Sequence, residues 1–238
     1  DIGESLWEVE FYGNDKSAYN TVAGSIGRTT GPRNKHLSTK LGYCLGTVRA
    51  NQYHYNLYDA TDVRRDWNIA NFYYSSDVDG EKIEITNPYG MYAGKFRREY
   101  EVVSPRVNDA SPANFPLLRY ADVLLMFAEA YAADLNVDSS DEALAYECLN
   151  RVRRRAHSLP ELAENPTVDF PVTSNKGDLL REIKDERARE LAYEMLRKDD
   201  LVRWNEFYSK MHSSELEPPT SLSVSLYPYC FRYYDNVE

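Results

Sequence analysis

From Asn114 to Tyr208 apolar residues recur at helical spacing, and the positions between them alternate arginine with carboxylate. This double pattern limits the chain to a fold in which several amphipathic helices bury one face. Within 117–133, Leu118, Ala121, Leu125, Ala128 and Ala132 share a stripe at i, i+3/i+4 spacing, which predicts a core helix. Leu149, Val152 and Ala156 predict a second helix over about 141–156. A third is expected over about 177–197, on Leu180, Ile183, Leu191 and Met195. A fourth is expected over about 199–211, on Leu201, Trp204, Tyr208 and Met211. A break at Asn136–Ser140 separates the first two helices. Asp138, Ser139 or Ser140 is placed to cap the second, with Asp141 and Glu142 favourable near its N-terminus.

The first two helices read as an antiparallel hairpin, the unit from which tetratricopeptide-type solenoids are built. Only one such pair is legible, so the chain is not a repeat array. The segment 157–176 carries Pro160, Pro166 and Pro171 and is expected to be loop, and the tail after Pro218 reads as an arm with no helical period.

Residues 1–112 have a different texture, which divides the chain into a loop-rich portion, 1–112, and a helical portion, 113–238. Trp7, Val9 and Phe11 alternate with Glu8 and Glu10 as a short strand should. Residues 13–47 hold turn signals and predict a long structured loop. A short helix is expected within 48–66. The stretches EKIEIT (81–86) and KFRREYEVV (95–103) alternate and predict strands about the turn NPYG.

The net charge of −10 argues against a nucleic-acid partner, because neutralising phosphates takes a surplus of Lys and Arg. Cys44, Cys148 and Cys230 lack zinc spacing, and Cys148 falls among apolar helical positions as small core filler. The most apolar run, Leu117 to Ala133, is interrupted by Arg119, Asp122 and Glu129 and reads as a core helix rather than a membrane span. His36, His54, His157 and His212 show no ligand spacing, and HExxH, GxSxG, P-loop and GxGxxG motifs are absent, so no metal or cofactor is implied.

Three motifs in fixed order carry a family resemblance: RYADVLLM followed by AEA (119–130), LNRVRRRA (149–156), and ERARELAYEMLRKDDLVRW (186–204). Together they resemble the C-terminal half of SusD/RagB-like proteins. Ser5, Leu6, Trp7, Glu8, Val9 and Phe11 match a strand segment of that family, and Asp62 to Arg65 matches its DxR signature. The resemblance implies a mainly α fold, with helix hairpins of tetratricopeptide-like type packed against a loop-rich portion with a few short strands. It implies a non-catalytic cell-surface lipoprotein of Bacteroidetes. Such a protein binds glycans or other nutrients for a SusC-like TonB-dependent transporter of the outer membrane. Family members carry two to three hundred residues before the matched strand. The chain is therefore expected to be a fragment lacking its lipid-anchor site, or a short relative.

Twenty tyrosines, many in the first hundred residues, supply rings that fill an irregular core or stack on the C–H faces of sugars. The stretch NQYHYNLYD (51–59) followed by Trp67 mixes rings with amide and hydroxyl groups, in a region the family reserves for ligand loops. Trp67, Tyr53, Tyr55, Asn51 and Tyr43 are the candidate ligand-binding residues, with a core anchor as the competing reading of Trp67. Glu186, Glu190 and Glu194 recur at i+4 spacing among Arg187, Arg189 and Arg197. A glycosidase would use two such carboxylates as acid and base. The interleaved arginines favour a structural ion-pair network that includes Arg119, Asp122 and Glu129. A protein-interaction module of a surface complex is the second alternative.

Overall fold

Regular elements of the chain follow the helical periods closely in their middles and depart from them at their ends. The computed structural model describes residues 3–11, 24–36, 40–87, 90–134, 139–172 and 174–215. In chain order these form β1 (Ser5–Val9), α1 (Ile26–Thr29), α2 (Gln52–Asn56), α3 (Arg64–Asn68), β2 (Ile69–Ala70), β3 (Phe72–Tyr74), β4 (Lys82–Glu84) and β5 (Tyr92–Ala93). A 3-10 turn (Arg98–Tyr100) then leads to β6 (Phe115–Arg119), α4 (Tyr120–Ala133), α5 (Glu142–Ala156), α6 (Lys176–Glu190), α7 (Arg197–Arg203) and α8 (Phe207–Glu215). Two compact units are present, Asp1–Glu194 and Met195–Glu238. The sequence-based division at 112/113 falls inside the first. The arm expected after Pro218, Cys230, Asp138 and part of the 13–47 loop lie outside the described residues.

The core of the first unit is the expected helix stripe. Ala121, Leu124, Leu125, Ala128, Tyr131 and Ala132 of α4 meet Ala145, Tyr146, Cys148, Leu149 and Val152 of α5, and Leu179 and Ile183 of α6 close the layer. Small residues on α4 let its neighbours approach closely, and the larger ones fill the space between. No helix among the described residues is long and apolar enough to cross a membrane.

The first and second helices end at Ala133 and Ala156 as expected, while other helix ends differ from their sequence-based bounds for physical reasons. The first helix begins at Tyr120, not 117, because 115–119 pair antiparallel with β1, with Ser5 opposite Arg119 and Val9 opposite Phe115. Pro116 is tolerated there because a two-stranded ladder leaves one edge of β6 without donors to satisfy. The N-cap of α5 is Asp141, which makes no side-chain cap bond, and Ser139 and Ser140 lie in a 3-10 turn ahead of it. Asn175 caps α6 by accepting from the Asp178 amide at 2.9 Å. The third helix stops at Glu190 rather than 197: Tyr193 and Met195 take left-handed backbone conformations, φ +64° and +67°. The fourth is two helices, α7 and α8, parted near Asn205 at φ +56°, a conformation asparagine tolerates.

In the loop-rich region the strands are shorter than expected. β2 pairs with β5, and β3 with β4, each over two or three residues. The alternating run 95–103 is not a strand but the 3-10 turn, whose three-residue period puts Arg98 and Glu101 on one side as an ion pair at 3.0 Å. Arg98 is buried and also donates to the carbonyls of Tyr43, Val107 and Ala110 at 2.7–2.9 Å. One guanidinium thereby closes three loop segments that have no ladder of their own. Along β1 the expected alternation fails, since Leu6, Trp7 and Val9 are all exposed.

Candidate functional site

The motif Asp62-Val63-Arg64-Arg65 builds α3 and sets its orientation. The Asp62 carboxylate accepts from the Arg64 amide at 2.9 Å, a tight side-chain turn that leads the chain into the helix. The Arg64 guanidinium then reaches Asp62 and Glu186 at 2.7 Å and Glu190 at 2.8 Å. Four residues on, the buried Asn68 amide donates to the Tyr58 hydroxyl and to the Arg189 carbonyl, both at 3.1 Å. Both ends of this short helix are therefore pinned to the body, and its third side faces outward with Trp67.

Trp67 is 42% exposed and Tyr100, on the 3-10 turn, is 61% exposed. Their ring centroids lie 5.0 Å apart at 55°, a tilted pair within the range of favourable aromatic contacts. Arg97 lies 5.0 Å from the Trp67 ring centroid. Its guanidinium donates to the carbonyls of Gly94 at 3.0 Å, Asp66 at 2.5 Å and Trp67 at 2.9 Å. These bonds fix the ring through its own backbone. Gly94 is required at this point, because a Cβ there would sit 2.3 Å from the Trp67 carbonyl oxygen. Beside this pair, Phe72 lies 5.4 Å from Arg97 and 4.3 Å from the Lys82 ammonium, and meets Tyr74 edge-on. Burial, and then repulsion from Arg97, hold Lys82 below the usual lysine range. Burial raises the Glu99 carboxyl against the pull of Arg106.

A second constellation lies beneath α3 and is saturated with ion pairs. Glu190 meets Arg64 at 2.8 Å, Arg119 at 3.0 Å and Arg155 at 2.7 Å. Glu186 meets Arg64 at 2.7 Å and Arg189 at 2.8 Å. Glu194 pairs with Lys95 and, at 2.8 Å, with Arg119, which also pairs with Glu4. Arg187 meets Asp122 at 2.7 Å and Glu129 at 3.9 Å. Burial alone would raise the Glu186 carboxyl; Arg64, Arg189 and Arg153 outweigh it and hold the group at about 2. Glu190 is likewise lowered despite burial, by Arg64, Arg155 and Arg119. A general acid needs the opposite shift, upward toward neutrality. Glu186 and Glu190 are shifted the other way, toward the ionised form, by the guanidinium groups around them.

The SusD family model matches residues 3–236. The chain belongs to the SusD family. A SusD homologue from Bacteroides thetaiotaomicron superposes with a TM-score of 0.74 at 26% identity, over 90% of this chain and 43% of that one. A laminarin-binding SusD-like protein gives 0.60 at 24% identity, over 92% and 45%. Surface glycan-binding protein A from B. thetaiotaomicron, in complex with laminarihexaose, gives 0.56 at 19% identity, over 85% and 43%. At those identities the last two show the fold alone. The chain spans less than half the length of these solved relatives. A search of curated proteins returns no match. The mainly α architecture with a loop-rich portion is the SusD-like fold that the motifs implied.

Within this SusD-family chain the expected ligand residues are spread apart in role. Trp67 is half-exposed and paired with Tyr100. Tyr53 is exposed on α2. Tyr55 packs against the Ala50, Tyr58, Ile69 and Met91 cluster, with the Arg65 guanidinium 5.1 Å from its ring. Asn51 caps α2, its side chain accepting from the His54 amide at 2.8 Å. Tyr43 is half-buried and its carbonyl is taken by Arg98. Tyr100 belongs to the tyrosine cluster of the first hundred residues but was not among the candidate ligand residues, and neither was Arg97. The available signal was the i, i+3 pair of Arg98 and Glu101, which turns Tyr100 outward. Of the expected network, Arg119, Asp122, Glu129, Glu186, Arg187, Glu190 and Glu194 make the contacts just described. Arg197 lies in the second unit, 5.3 Å from the Trp204 ring. Arg64, Lys95, Arg155 and Glu4 complete the array from distant parts of the sequence.

Proposed function

We propose that this SusD-family chain captures glycan without catalysis, with Trp67 and Tyr100 as its stacking platform. The observation that carries this reading is the half-exposed ring pair, held in place by Arg97 on backbone carbonyls. A large apolar face beside polar groups, fixed before the ligand arrives, gives a sugar stacking area at little cost in ordering. The laminarin-binding protein and the laminarihexaose complex among the solved relatives support a glycan as the ligand. In the full-length protein the same surface would stand at the outer-membrane surface, tethered by a lipid anchor, and pass its ligand to a SusC-like TonB-dependent transporter. The test is affinity electrophoresis through gels containing plant, host and microbial polysaccharides, with Trp67→Ala and Tyr100→Ala run beside the wild type. Retardation lost in both variants is expected. Retardation unchanged in both would remove the platform from the function.

A protein-partner reading rests on a different patch. Leu6, Trp7 and Val9 line β1 with exposures of 52%, 66% and 40%, an apolar strip of the kind that marks interaction surfaces. A partner complex that persists without any glycan and is lost in Trp7→Ser would favour it.

A further inference from the structure

 The ring platform carries two cations whose charge the chain itself leaves largely unanswered. Arg97 makes no ion pair within 4 Å among the described residues, and its hydrogen bonds run to backbone carbonyls. Lys82 has one carboxylate near it, Glu99 at 3.8 Å, beyond hydrogen-bond distance. The two cations flank the Phe72 ring at 5.4 and 4.3 Å and repel one another. Arg97 spends its Nε and Nη2 donors on carbonyls, and its Nη1 makes no hydrogen bond among the described residues. The neighbouring acid Asp66 is engaged by Arg65 at 3.0 Å. An open guanidinium edge and an ammonium therefore sit beside an exposed ring pair, on a chain whose net charge is −10.

We propose that the ligand of this platform is an anionic glycan, one of whose carboxylate or sulfate groups takes Arg97 Nη1 and Lys82 Nζ while a sugar ring stacks on Trp67 and Tyr100. The inference rests on the glycan-capture reading and names its substrate class. Charge-assisted bonds from a guanidinium are directional and strong, so an acidic group would fix the register of a sugar that stacking alone leaves free to slide. The overall negative charge repels acidic polymers at long range, so any preference for them must arise locally.

The test is isothermal titration of the chain with two matched polymer pairs, polygalacturonate against its methyl ester and dextran sulfate against dextran, in 20 and 300 mM salt. At least tenfold tighter binding of an acidic member over its neutral partner is expected, with most of that preference gone at the higher salt. Lys82→Gln should remove most of the preference while keeping the weaker neutral affinity. The Lys82 ammonium makes no hydrogen bond among the described residues and its backbone pairing in β4 is kept by the substitution, so the fold stays in place, which circular dichroism checks. Trp67→Ala should lose both members of a pair. Equal or tighter binding of the neutral members, still lost in Trp67→Ala, overturns the anionic ligand and leaves the glycan platform standing. A preference untouched by Lys82→Gln also overturns it. Binding of no polymer, or binding indifferent to Trp67→Ala, overturns the platform and the inference together.

Discussion

Trp67 and Tyr100 reach the surface by different routes, and their substitutions should differ accordingly. Trp67 lies on a helix pinned at both ends, whereas Tyr100 stands on a turn closed by the buried Arg98–Glu101 pair. Truncating either ring removes stacking area without opening a core cavity. About tenfold weaker glycan retention is expected for each, equivalent to about 1.4 kcal/mol, with little change in Tm. Gly94→Ala is the harsher change, although it adds one methyl group. The new Cβ would meet the Trp67 carbonyl and the Arg97 guanidinium, so the turn must shift. Destabilisation of about 1–3 kcal/mol is expected from the overpacking, together with altered Trp67 fluorescence. An unchanged spectrum would show that the platform tolerates the shift. Asn51→Ala belongs to the same scale: it removes the cap of α2 and should cost about 1 kcal/mol in denaturant unfolding.

At the scale of elements, the sequence made the middles of helices legible and left their ends to tertiary contacts. The stripes on α4, α5 and α6 depend only on local period, and the buried faces follow them. The end of α6 does not. Tyr193 leaves the helix at φ +64°, and its hydroxyl lies 3.1 Å from His54 Nδ1, a residue 139 positions earlier. No window around residue 193 contains that partner. The proposed ring platform was legible in the same partial way. Trp67 was visible as a ring in a ligand-loop region, but Tyr100, Arg97 and Gly94 join it only because β2 and β5 pair. The arginine–carboxylate alternation on α6 was legible as ion pairing, whereas Arg64, Arg155 and Glu4 arrive from other elements. That convergence makes Glu190 the costliest single residue of the array. Glu190→Ala would leave Arg64, Arg119 and Arg155 without the carboxylate they share, and destabilisation of about 3–5 kcal/mol is expected in chemical denaturation. A loss under 1 kcal/mol would mean that the other carboxylates absorb the charge.

For the whole first unit, the array links the loop-rich region to the helices through charge, so acid should dissolve that link. Glu186 is held at about 2, below its ordinary 4.5, and Glu190 and Asp169 are also lowered. A carboxyl whose pKa is depressed by folding contributes stability that is fully present above its unfolded value. The contribution is lost as pH falls through the folded value. Stability should therefore be level from about pH 8 to 5 and decline between about pH 4.5 and 2. Far-ultraviolet circular dichroism and tyrosine fluorescence, followed together during acid titration, check this. Eleven of the twenty tyrosines, Tyr58 and Tyr55 among them, lie in 1–112, so the fluorescence is weighted toward the loop-rich region, while the far-ultraviolet signal reports α4 to α6. Coincident loss in that window is expected, because Arg64 on α3 is tied to Glu186 and Glu190 on α6. Loss of the tyrosine signal well before the helical one would show that the loop-rich region is held by its own clamps, chiefly Arg98, rather than by the shared array. In that outcome the ring platform could open while the helical core stays folded.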